Sequence, residues 1–72
     1  MGLLILEATG PRGEELAMRA GEVAEIPVGF DPEFRCATYD SDTFDEAQLQ
    51  AEVFTALAGI DPDWQAHLRV AE

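Results

Sequence analysis

Along residues 43–62 the apolar positions recur with the spacing of a helix. At about 100° per residue, Leu49, Val53, Ala56, Leu57 and Ile60 fall on one broad face, which Phe44, Ala47, Ala51, Phe54 and Ala58 widen. Asp45, Gln48, Glu52 and Thr55 form a narrow polar stripe opposite. The pattern predicts a long helix over about 44–58. Thr43 and Glu46 have the spacing of a capping box, in which hydroxyl and carboxylate satisfy free N–H groups of the first turn. Gly59 is expected to take a left-handed conformation past the helix end, and Pro62 forbids continuation. An apolar arc this wide places the helix on a sheet or between elements.

The remaining pattern is shorter and more mixed. Leu3-Leu4-Ile5-Leu6 is a continuous apolar run before Thr9-Gly10-Pro11, as expected of a central strand buried on both faces. Gly10-Pro11-Arg12-Gly13 reads as a turn. Residues 14–20 are strong helix formers ending at Gly21, so a short helix is expected there, with a hairpin strand as the rival. Residues 22–28 read as a strand that Pro27 confines to a sheet edge. Asp31-Pro32 carries a type I turn signature. Residues 34–39 form a strand with Phe34, Cys36 and Thr38 on one face and Arg35, Ala37 and Tyr39 on the other.

The last segment supports two readings. Asp61-Pro62-Asp63 has the form of a helix start. Trp64, Ala66, Leu68 and Val70 alternate against Gln65, His67 and Arg69 as in a half-buried strand. A strand is preferred, because Phe30-Asp31-Pro32-Glu33-Phe34 and Ile60-Asp61-Pro62-Asp63-Trp64 share one pattern, a proline turn before an aromatic. Phe34, Phe54 and Trp64 are expected inside, with Phe30 or Tyr39 partly exposed. The fold class is α+β. It comprises a small antiparallel or mixed sheet of about four strands, the long helix (44–58) on one face and the short helix (14–20).

The chain is 72 residues long, with 47% apolar and 26% charged positions, which gives one globular domain with a small core. No apolar run reaches the roughly 18–20 residues that span a bilayer, and no basic stretch precedes the first apolar run, so a cytoplasmic protein is expected. The lone Cys36 has no partner for an internal disulfide, in keeping with a reducing compartment.

Charge changes the picture most. Fifteen acids face four bases, all arginine, for a net charge of −11. That balance repels phosphates, so neither direct nucleic-acid binding nor an anionic membrane is expected. A GC-rich genome or a salt-loving host also produces lysine-poor, acidic sequences without any selection for binding.

Candidate chemistry adds little. Cys36 and His67 are the only soft ligands, too few for a zinc site, and nothing beside them marks a nucleophilic pair. Asp40, Asp42, Asp45 and Glu46 are dense in oxygen but break the calcium-loop spacing, with Phe44 at the fifth position and no glycine at the sixth. Gly10 and Gly13 lack the phosphate-binding fingerprint. No catalytic residue, metal or cofactor is therefore expected. The acidity points instead to a basic protein surface as partner, met by Asp40, Asp42, Asp45 and Glu52 with Asp61 and Asp63. Carboxylates so arrayed can stand in for a phosphate backbone, as in small acidic phage inhibitors of restriction or CRISPR enzymes, which the chain is similar to in size and charge only. The alternative is a structural or assembly subunit, such as a phage particle component or an accessory chain, whose core is completed by a neighbour or by a second copy in a homo-oligomer.

Overall fold

The structure, a computed structural model, describes residues 2–71. Strand β1 (Gly2–Ala8) leads into helix α1 (Pro11–Ala24), and a hairpin of β2 (Val28–Asp31) and β3 (Cys36–Ser41) follows. Helix α2 (Glu46–Ile60), a 3-10 turn (Trp64–Ala66) and β4 (Leu68–Val70) complete the order. The four strands form one sheet in the order β2-β3-β1-β4, every neighbouring pair antiparallel. This is the split βαβ connectivity called ferredoxin-like. Such scaffolds carry many functions, so the topology alone assigns none.

Both helices pack on one face of the sheet. Leu4, Leu6, Ala8, Ala37, Tyr39 and Leu68 from the strands meet Leu16, Ala17, Ala20, Leu49, Val53 and Leu57 from the helices in a single core. Leu3, at 51% exposure, lies on the side that the helices do not cover. β1 is therefore central in the sheet but buried on one face only. Both helices lie on one side, and no element among the described residues covers the other.

Helix α2 starts two residues later than its sequence suggests. Asp45 is the N-cap: its carboxylate accepts the Gln48 N–H at 2.8 Å, and Gln48 Oε1 accepts the Asp45 N–H at 3.3 Å. A capping box is present, but aspartate outranks threonine in that role. The residues ahead of it are used in a turn, where Ser41 Oγ accepts the N–H groups of Thr43 and Phe44. At the other end Gly59 and Ile60 remain helical, and no glycine among the described residues takes the left-handed conformation. Pro62 ends the helix, because its ring pushes the preceding residue out of the helical region, and Asp61 is extended at φ −150°. The buried stripe is also narrower than the apolar one. Leu49, Val53, Ala56 and Leu57 are buried, whereas Ala47, Ala51 and Ala58 face solvent.

Helix α1 is longer than expected, because neither Gly13 nor Gly21 stops it. Both are buried within the helix, where they allow close approach. A Cβ on Gly13 would lie 2.5 Å from the His67 carbonyl oxygen, and one on Gly21 would collide with Val28. The helix absorbs residues 22–24, which had read as strand, and ends at Glu25 in the left-handed region, φ 58°. These glycines yield a paired prediction. Gly59→Ala, with nothing within 4 Å of the new methyl, should stabilise the domain by about 1 kcal/mol through helix propensity. Gly13→Ala should destabilise it by about 1–3 kcal/mol, because the His67 backbone has to move. Denaturant midpoints measure both, and a loss of stability in Gly59→Ala would mean that α2 ends before that residue.

The aromatic residues are redistributed. Tyr39 is fully buried and its hydroxyl donates to the Ala17 carbonyl at 2.8 Å. Phe34, expected inside, is 70% exposed at the tip of the β2–β3 turn. There Asp31 Oδ1 accepts the Glu33 and Phe34 N–H groups and Arg35 takes φ 55°. Trp64 is buried against Phe54, ring centroids 5.1 Å apart, but it belongs to the 3-10 turn and not to a strand. That turn winds because the Asp61 carbonyl accepts the Trp64 N–H and Asp61 Oδ1 the Asp63 N–H. Only Leu68–Val70 is left to pair with β1.

Candidate protein-binding site

The topology brings four chain segments to one end of the molecule. β1 starts there with Gly2 paired to Ser41 at the end of β3, and Gly2 lies against the backbone of Phe44 and Asp45. The connection from α1 to β2 closes the same end, since the Pro27 carbonyl accepts the Asp40 N–H at 3.5 Å. Glu22 and Glu25 from α1, Asp40 and Asp42 from the end of β3 and its loop, and Asp45 and Glu46 from the start of α2 therefore gather around one rim. All are exposed, and none forms an ion pair among the described residues.

The opposite end is electrically mixed. Arg12 bridges Glu15 at 3.2 Å and Asp61 at 3.3 Å, Arg35 bridges Glu14 at 3.2 Å, and Arg69 bridges Glu7 at 2.7 Å. These pairs are largely solvent-exposed and add little stability each, but they cancel charge. Arg19, midway along α1, makes no ion pair among the described residues. The net negative charge is thus unevenly distributed: all six acids at the β1 start lack an arginine partner, whereas at its finish Glu7, Glu14, Glu15 and Asp61 are paired and Asp31, Glu33 and Asp63 are not.

The acids singled out in the sequence divide accordingly. Asp40, Asp42 and Asp45 come together at the acidic end. Glu52 is on the outer side of α2, midway along it, in a shallow groove with Val23 and Thr55. Asp61 and Asp63 lie past the far end of α2, about 22 Å away for 15 residues at 1.5 Å rise. Asp61 is occupied: the Asp63 N–H and the Arg12 guanidinium hold its carboxyl below the usual carboxylate range. Glu22, Glu25 and Glu46 join the acidic end only through the fold. Their signal was present in the chain order, since antiparallel helices in a βαββαβ arrangement place the end of the first beside the start of the second.

Two depressions adjoin Asp40. One is lined by Gly2, Leu3, Asp40 and Glu46, and the other lies between the α1–β2 connection and the β3–α2 loop. No group of three or more His, Cys, Asp or Glu side chains is arranged to hold a metal ion among the described residues. Nor is any helix there long and apolar enough to cross a membrane. No protein-family model, curated protein or solved structure matches the chain.

Proposed function

We propose that this chain is a small protein-binding module whose acidic end occupies a basic surface on a nucleic-acid-handling protein, acting as a nucleic-acid mimic of the anti-CRISPR or anti-restriction type. The observation that carries the proposal is the segregation of charge. Glu22, Glu25, Asp40, Asp42, Asp45 and Glu46 share one end with no arginine paired to any of them, while Arg12, Arg35 and Arg69 are paired elsewhere. Composition alone explains a high acid count, but it gives no reason for every ion-paired arginine among the described residues to lie at the opposite end. A concentrated negative end steers a basic partner and fixes its orientation, and it competes with a phosphate backbone for the same groove.

Asp40, Asp42 and Asp45 remain the centre of this surface. Asp61 and Asp63 are left out because of their position and, for Asp61, its engagement with Arg12. A second reading, an assembly subunit, draws on the uncovered sheet face around Leu3 and Ile5. It expects an oligomer that salt does not dissociate.

The test of the first reading is competition. The protein that this chain captures from its native host should be released by duplex DNA and not by an uncharged polymer. Capture should be lost in Asp40→Asn/Asp42→Asn/Asp45→Asn/Glu46→Gln, where asparagine at position 45 keeps a competent N-cap. Capture unaffected by those four changes would refute the proposal.

A further inference from the structure

Strand β4 is one edge of the sheet, paired only with β1. The Ala71 N–H donates to the Ile5 carbonyl and the Thr9 N–H to the His67 carbonyl, so residues 67, 69 and 71 are the ones that bond β1. By alternation the N–H and C=O groups of Leu68 and Val70 point away from the sheet. Beside this edge, on the helix side, lies an apolar groove of about 260 Å³ lined by Phe54, Trp64, Gln65, Leu68, Arg69 and Val70. Val70 is 41% exposed at its rim. We infer that this edge and groove receive the β4 strand of a second copy of the chain, paired antiparallel about a twofold axis.

Two observations choose that occupant. The first is self-complementarity. With the axis at Arg69, Leu68 of each copy faces Val70 of the other, and each such pair exchanges two hydrogen bonds, so an identical strand satisfies every outward group of Leu68 and Val70. Leu68 and Val70 stand opposite Ala8 and Leu6, whose side chains are in the core. The Val70 side chain of each copy therefore enters the helix-side groove of the other, next to Leu68. The second observation is charge. At −11 each, two copies repel, yet this groove holds no acid. Its one charged residue, Arg69, is paired with Glu7 at 2.7 Å, and two such pairs meeting at the axis carry no net charge. On α2, Ala47, Ala51 and Ala58 are exposed and lie within about 60° of Phe54 around the helix, so that flank is uncharged too. A basic segment would find no carboxylate in the groove to hold it.

The other edge is a poorer choice. β2 follows Pro27 and ends on Asp31, an acid that two copies would bring together. Pairing at β4 makes one continuous sheet with the axis normal to it, so the two acidic ends point in opposite directions and both stay open. The inference goes beyond the reading of that end and does not depend on it. Three paired residues and one groove bury less than the roughly 1,200 Å² of a stable interface, so the dimer is weak.

Sedimentation velocity on the purified chain, from about 10 μM to about 1 mM, measures it. A monomer–dimer equilibrium is expected. Added salt should shift it toward dimer by screening the repulsion, whereas salt weakens a complex with a basic partner. Val70→Pro removes an outward N–H and no bond to β1, so the fold should persist while the dimer weakens at least about tenfold. Leu3→Ser, on the uncovered sheet face, should leave the dimer unchanged. If Val70→Pro alters the Trp64 fluorescence, Arg69→Cys in a Cys36→Ser background serves instead. Residues facing each other in a non-hydrogen-bonded pair have Cα atoms about 4.5 Å apart, within disulfide range, so mild oxidation should give a covalent dimer. A monomer throughout the concentration range, a dimer that survives Val70→Pro or is lost in Leu3→Ser, or no cross-link at position 69 overturns the inference. None of these results touches the reading of the acidic end.

Discussion

Tyr39→Ala is expected to remove a large share of this domain's net stability. At the usual 0.05–0.15 kcal/mol per residue, 72 residues hold about 4–11 kcal/mol. Removing a buried aromatic ring costs about 3–5 kcal/mol. Tyr39 is the largest fully buried side chain, and its loss also deprives the buried Ala17 carbonyl of a donor. Tyr39→Phe separates the two contributions: it keeps the ring, loses the hydrogen bond and should cost about 1 kcal/mol.

The same hydroxyl links folding to alkaline pH. Burial raises its pKa well above the ordinary 10.0. The folded state thus keeps a proton that the unfolded chain gives up, so the full contribution is present below about pH 10. Above that, stability falls by about 1.4 kcal/mol per pH unit while the folded group stays protonated. The chain has no lysine and a single tyrosine, which leaves few other groups to titrate in that range. Tyrosinate absorbance and Trp64 fluorescence should change together at one alkaline midpoint, and Tyr39→Phe should remove the steep decline. Ionisation of Tyr39 with Trp64 still in its native environment would contradict the buried placement.

Neutralising the acidic end has two expected effects of opposite sign. In Asp40→Asn/Asp42→Asn/Asp45→Asn/Glu46→Gln, partner affinity should fall by one to several orders of magnitude, since close charge pairs across an interface couple by about 1.5–7 kcal/mol. Stability should rise, because exposed carboxylates gathered without a counter-charge repel one another. Screening by water and salt keeps that gain modest, on the order of 1 kcal/mol at low ionic strength, or about 4–8 °C in Tm for a domain of this size. Added salt should raise the Tm of the unaltered protein and weaken its complex. A destabilised variant would show that these side chains hold the fold together, and a binding loss would then say nothing about the surface.

Much of the architecture could be read along the chain. Leu49, Val53 and Leu57 at helical spacing located α2, and Pro62 located its end. The alternation from Arg35 to Tyr39 separated the two faces of β3 correctly. It could not say which face the helices would cover, a choice that put Tyr39 inside, and it did not show that Phe34 belongs to the β2–β3 turn and stands in solvent. Gly13 and Gly21 resemble helix breakers in any local window. Their role in α1 becomes visible only once His67 and Val28 are seen against them. The acidic end was half legible. Asp40, Asp42 and Asp45 are neighbours in sequence, but Glu22 and Glu25 reach them only because α1 and α2 run in opposite directions. Asp61 and Asp63 looked equivalent until Arg12 was found beside one of them.

The central claim, that uncompensated carboxylates at one end of a ferredoxin-like domain are recognised by a basic partner, is tested most directly by the salt dependence of Kd for the captured complex. Between about 50 and 200 mM salt the affinity should fall steeply, with log Kd linear in log salt. The four-amide variant should bind weakly at low salt with a flattened slope, while Glu33→Gln/Asp63→Asn, away from the site, should match the unaltered protein. A Kd indifferent to salt, or a slope unchanged by the four amides, would contradict it.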